Sequence, residues 1–112
     1  MTAEEFVRGF YQEKAQLLQT YCATQASGSS HVAQLLARLA LTPQQAAYLP
    51  QVLDAALTDA FYTVLLGLDG AASIGLRQEL YQLADEQGNE LTGNGEIEAQ
   101  AYDYFHGEKR TN

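Results

Sequence analysis

The chain has 112 residues, of which 46% are hydrophobic and 18% charged, and its formal net charge is −8. This composition excludes a disordered chain, and the length predicts a single globular domain over residues 1–112. One cysteine cannot form an internal disulfide, which excludes a stapled secreted scaffold. The N-terminus holds acids where a signal peptide needs basic residues, and the apolar run at 61–68 is too short to span a bilayer. We therefore expect a cytoplasmic protein that does not enter a membrane.

The first predicted helix begins with a capping box. The Thr2 hydroxyl can accept a hydrogen bond from the backbone N–H of Glu5, and the Glu5 side chain can reach back to Thr2. We expect this helix to end near Ala23, because the small polar residues at 26–30 favour a loop. Its large side chains at helical spacing, which predict a buried stripe, are Phe6, Phe10, Leu17 and Tyr21.

Two more helix starts follow. Ser29 or Ser30 is a predicted N-cap for a second helix that runs to about Leu41. Thr42 and Gln45 form another capping box, with a proline in the first turn, where its missing N–H does no harm.

Pro50 interrupts the third helical pattern, because a proline removes one intrahelical hydrogen bond. The pattern predicts either a short turn over 43–48 with a new helix from Pro50, or one kinked helix. The run from about 50 to 66 is apolar on two faces and predicts the central helix of the domain. One face holds Leu53, Leu57, Phe61, Val64 and Leu68, and the other holds Val52, Tyr62 and Leu66.

The segment after this helix is rich in glycine. Asp69-Gly70 is a turn signal, and the small residues up to Gly75 predict backbone that packs closely, on its own core or on another molecule. We predict a β-hairpin at about 78–92, with Gly88 supplying a positive φ, although a helix over 76–86 also fits the spacing. A last helix from Glu96 should end near His106 and bury Ile97, Ala101, Tyr104 and Phe105.

These elements predict an α+β fold that is predominantly α-helical. Four to five helices should surround the central helix at about 50–66, and the β-hairpin at about 78–92 should lie at one side.

The negative charge is uneven along the chain. Charges cancel over residues 1–53, whereas residues 54–112 hold 11 acids and three bases. Such a field repels nucleic acids and speeds encounter with a basic protein. We therefore predict a non-enzymatic protein-binding module with an acidic face, such as an inhibitor or an immunity-type protein. The predicted partner-binding residues, which include tyrosines suited to interfaces, are Tyr62, Asp69, Tyr81, Glu86, Glu90, Glu98 and Tyr102.

Two alternatives remain open. One is a small enzyme or small-molecule-binding protein with a carboxylate-lined pocket near Asp59, Asp69 and Asp103, and the other is a structural homodimer. No nucleophile, metal or nucleotide motif is present, so we predict no catalytic residues, no metal and no cofactor. Asp59 should form an ion pair with Arg38 or Arg77.

Overall fold

Four helices make up the part of the chain that the structure, a computed structural model, describes, namely residues 1–23 and 30–110. Residues 26–29 of the predicted loop lie outside that part. The helices are α1 (Ala3–Cys22), α2 (His31–Arg38), α3 (Pro43–Leu68) and α4 (Glu96–Phe105).

Side-chain caps begin the first three helices as the sequence predicts. The backbone N–H of Glu5 donates to the Thr2 hydroxyl over 3.1 Å, and the Thr2 N–H donates to the Glu5 carboxylate over 2.9 Å. Ser30 caps α2, and Thr42 and Gln45 form the same reciprocal pair at the start of α3. Of the two alternatives predicted around Pro50, the short turn followed by a new helix is wrong, because α3 continues through this residue as one helix.

The core lies where α4 packs against α1 and the C-terminal part of α3. Its four fully buried large side chains come from all three helices and are Val7, Leu65, Ile97 and Phe105. The α4 residues Ile97, Ala101, Tyr104 and Phe105 are all buried, as predicted. Edge-to-face contacts between aromatic rings extend this core on the side of α1, with 5.6 Å between the ring centroids of Phe10 and Phe61.

The prediction that the helix near 50–66 is central is wrong. The helix that contacts the other three described helices is α1, whereas α3 does not contact α2. All buried residues of α3 lie between Thr58 and Gly67. Before Thr58 no residue of α3 is fully buried, although Leu49 and Leu53 are partly buried. By length and composition alone, α3 is apolar enough to cross a membrane. This is weak evidence for a membrane span, because the core helices of many soluble proteins meet the same criterion.

The predicted β-hairpin at about 78–92 is absent, and the α+β fold class is wrong, because residues 1–23 and 30–110 contain no β-strand. Only isolated antiparallel bridges occur, one of them between Ala84 and Glu90. The Thr92 hydroxyl accepts a hydrogen bond from the Leu83 N–H and donates one to the Tyr81 carbonyl. These backbone groups therefore bond to a side chain and not to the backbone of a second strand, as they would in a β-hairpin. The alternative helix over 76–86 is absent too, since this segment has no helical hydrogen bonding.

The glycine-rich segment packs on its own chain. A Cβ atom on Gly67 would collide with the Ile74 side chain, so the absence of a side chain lets residues 71–75 fold back onto the end of α3. Gly70, directly after that end, has a φ of 77°, which favours glycine. The loop thus closes against α3.

A buried ammonium group joins α1 to α3. The Lys14 side chain is only 6% exposed, and its Nζ lies 2.9 Å from Asp54 Oδ1 and 3.1 Å from Thr58 Oγ1. The rings of Tyr11 and Phe105 lie 4.9 and 5.4 Å from the same nitrogen, within cation–π range. A buried charge is tolerated only when such partners replace water.

We predict that Asp54→Asn lowers the free energy of unfolding by about 2 kcal/mol, because the buried ammonium loses its counter-charge. This is below the ~3–5 kcal/mol typical of buried pairs, since 35% of the Asp54 side chain is exposed. Asp59→Asn is the matched control, because Asp59 is exposed and has no ion pair within the described residues, so its effect should stay within about 0.5 kcal/mol. Urea denaturation measures both, and equal losses would contradict the role assigned to Lys14.

Candidate functional site

Four side chains, from α3, α4 and the C-cap of α4, form a cluster on the surface, which we name the acidic tyrosine surface: Tyr62, Glu98, Tyr102 and His106. The Tyr62 ring meets the His106 ring edge to face at 4.6 Å between centroids, and the Tyr102 ring lies 6.2 Å from His106. Glu98 and Tyr102 are one turn apart on α4 and both are exposed. Burial raises the pKa of the Tyr62 hydroxyl, and the charges of Glu98 and Tyr102 raise it further.

Asp69 lies beside this surface, but its carboxylate is already occupied. One oxygen accepts from the N–H of Gly93 and the other from the N–H of Glu98, each over 3.0 Å. Gly95, the N-cap of α4, has no side chain that could accept a hydrogen bond from the first turn of the helix. Asp69, at the end of α3, accepts that hydrogen bond in its place. Asp69 is therefore a structural residue that fixes where Glu98 stands.

The other three predicted partner-binding residues lie in the segment between α3 and α4. Tyr81 uses its backbone carbonyl to accept from Thr92, and Glu86 lies in the turn before Gly88. Glu90 lines a separate cavity of about 340 Å³ together with Glu4 and Glu96. The structure thus brings together Tyr62, Asp69, Glu98 and Tyr102, while Glu90 belongs to a different concavity.

The turn at 85–89 is held by one carboxylate that the sequence analysis did not single out. Asp85 accepts from the N–H groups of Gln87 and Asn89, from the Asn89 side chain and from the N-terminal amine of Met1 at 2.8 Å. The amine, followed by Asn89, holds the pKa of Asp85 well below its usual range. The signal in the sequence is Asp85 with Gly88 and Asn89 three and four residues later, a pattern typical of a turn that an aspartate side chain stabilises.

A second concavity of about 700 Å³ lies between α1, α3 and the residues after α4. Its polar lining residues are Gln51, Asp54, Thr58, Asp59, His106 and Arg110. Asp59 lines the cavity, as the small-molecule alternative requires, but Asp69 and Asp103 do not. Asp54 is neutralised by Lys14, and the charges of Asp59 and Arg110 balance, so the cavity has little net charge and suits a small dipolar molecule. That alternative stays a prediction.

The predicted ion pair of Asp59 with Arg38 or Arg77 is not formed. Arg77 pairs with Glu79 at 2.9 Å, and Arg38 has no ion pair within residues 1–23 and 30–110. The carboxylate that α3 does pair is Asp54, one turn earlier, because it faces Lys14 of α1. Within the same described ranges, no three His, Cys, Asp or Glu side chains are close enough to hold a metal ion.

We predict that Asp85 makes the stability of the protein depend on acid pH. A carboxyl whose pKa is lower in the folded state than in the unfolded state stabilises the fold fully at pH values above its usual pKa, near 3.8. This stabilisation is lost as the pH falls toward the pKa of the folded state. The difference in free energy of unfolding between wild type and Asp85→Asn should therefore be largest above pH 5 and shrink by pH 2. Chemical denaturation across this range, with Glu86→Gln as control, measures it. A difference that stays constant down to pH 2 would contradict the assignment.

Comparison with known proteins adds no assignment to this geometry. No family model, curated protein or solved structure matches the chain. The roles of the acidic tyrosine surface and of the 700 Å³ cavity are therefore inferred from their own residues.

Proposed function

We propose that this chain is a non-enzymatic protein-binding module that holds a basic partner on the acidic tyrosine surface. The observation that supports this proposal is the packing of the Tyr62 and Tyr102 rings on His106, with the carboxylate of Glu98 near enough to Tyr62 to raise the pKa of its hydroxyl. Glu98 is exposed and has no ion pair with any described residue. Its carboxylate is therefore available to a cationic side chain of a partner.

The wider charge distribution favours the same partner. Of the 11 acids in residues 54–112, Asp54, Glu79 and Asp85 form ion pairs and Asp69 caps α4. The other seven have no ion pair within the described residues: Asp59, Glu86, Glu90, Glu96, Glu98, Asp103 and Glu108. Unpaired carboxylates attract a basic protein over distances of about 10 Å at moderate salt.

The two tyrosines supply apolar contact area, which the carboxylates do not provide. A tyrosine offers a large, rigid apolar face with a polar tip and loses little conformational entropy when it is covered. Tyr102 is 54% exposed, whereas Tyr62 is partly buried and is oriented by His106. A guanidinium that stacks on Tyr102 would also reach the carboxylate of Glu98, one turn away on α4. An arginine-bearing surface is thus the partner chemistry that this cluster fits best, as an inhibitor or immunity-type protein would require.

We predict that the double variant Glu98→Gln/Tyr102→Ala binds the basic partner more weakly than wild type. Immobilised wild type should retain basic proteins from a native lysate at low salt, and the double variant should release them at clearly lower salt. For a retained partner, the association rate with wild type should fall at least about tenfold between low and high ionic strength, because steering is screened. Capture followed by association kinetics at several salt concentrations measures both effects.

Glu13→Gln is the matched control, since it removes one exposed carboxylate from α1, outside the acidic tyrosine surface. Its elution profile should equal that of wild type. Equal profiles for wild type and the double variant would contradict the proposal, and so would an association rate that salt leaves unchanged.

A further inference from the structure

We infer that a second copy of this chain docks on the first half of α3 and on α2, which together we name the helical arm, residues 31–53. This inference concerns a different surface from the acidic tyrosine surface and stands independently of the proposed function. The arm would pair with the same arm of the second copy about a twofold axis, the commonest symmetry of soluble oligomers.

The arm exposes large apolar side chains in two stripes. At the end of α2, Leu35 and the C-cap residue Leu39 are 46% and 61% exposed, and on α3, Tyr48 and Val52 are 58% and 61% exposed. Each pair is spaced four residues apart and therefore lies on one face of its helix. An apolar helix face without a partner in its own chain is typical of an interaction surface.

Packing elsewhere in the molecule does not cover this face. The helix α2 contacts α1 alone and fully buries one residue, Ala33, while α3 has no fully buried residue before Thr58. The radius of gyration is 16.5 Å, against about 13 Å for a compact chain of this length.

Charge selects a second copy as the occupant. Between Ser30 and Leu53 the one charged side chain is Arg38, although the chain as a whole carries −8. Two copies that approach through other surfaces bring like charges together, which costs free energy. Contact between the two nearly uncharged arms avoids this repulsion.

The available apolar area fits a dimer. The four large side chains expose on the order of 400 Å² of apolar surface. A standard interface takes ~800 Å² from each partner, and somewhat more than half of that area is apolar. The four side chains therefore supply most of the apolar area that such an interface takes.

The test is the molar mass of the full chain in solution. Size exclusion with light scattering, from about 1 to 100 µM, should give twice the 12.3 kDa of one chain at the higher concentrations. The melting temperature should rise with protein concentration, because dimerisation stabilises the folded state by mass action. Val52→Glu should raise the dissociation constant at least tenfold, since it places two like charges at the paired face.

Leu76→Glu is the matched control, because Leu76 is fully exposed outside the arm, and this variant should dimerise as wild type does. Circular dichroism should show native helix content in both variants. A wild type that is monomeric at 100 µM would overturn the inference, and so would a dimer that Val52→Glu leaves intact. A monomer that binds vesicles of neutral phosphatidylcholine would assign the arm to a membrane instead and would equally overturn it.

Discussion

The whole structure depends on the burial of α4 between α1 and the end of α3. Ile97 and Phe105 of α4 are fully buried against Val7 and Leu65, which lie far away in the sequence. These contacts hold together segments that local hydrogen bonding alone would leave separate. The start of α4 is fixed by Asp69, so the same helix is anchored by apolar contacts along its length and by a carboxylate at its first turn.

Burial is concentrated at one end of the molecule, and this asymmetry determines what the rest of the chain can do. The core uses α1, the last third of α3 and α4, whereas the helical arm keeps Leu39, Tyr48 and Val52 in solvent. Exposed surface on the core end is acidic, and the arm is nearly uncharged. A partner that is recognised by charge and a partner that is recognised by apolar contact are thereby directed to different parts of the same small chain.

Signals that act within a few residues could be predicted from the sequence. The Thr2–Glu5 and Thr42–Gln45 capping boxes and the buried face of α4 depend on short spacings, and the structure shows all of them. Contacts between distant segments could not be predicted in the same way. The position of α4 determines which side of α3 is buried. Leu65 is therefore buried, whereas Val64, which the spacing places on an apolar face, is 38% exposed.

The segment 76–92 and the position of Lys14 show the same limit. A hairpin pattern was expected after Gly75, but Thr92 pairs the backbone there through its side chain, which no periodicity reveals. The burial of Lys14 depends on Asp54 and Thr58, about 40 residues later. Its spacing from Val7 and Leu18, which places it on the apolar side of α1, was the available signal. The cluster of Tyr62, Glu98 and Tyr102 was predicted as a set of residue types, and its geometry required the packing of α3 on α4.

Hydrogen–deuterium exchange, resolved along the chain and followed at two protein concentrations, tests this account most directly. At about 0.1 µM, backbone amides of α1, α4 and residues 58–67 should exchange slowly, while those of residues 31–53 should exchange quickly. At about 100 µM the arm should gain protection and the core should not change. An arm that is as protected as the core at the lower concentration would contradict the claim that the stability of the single chain resides at one end.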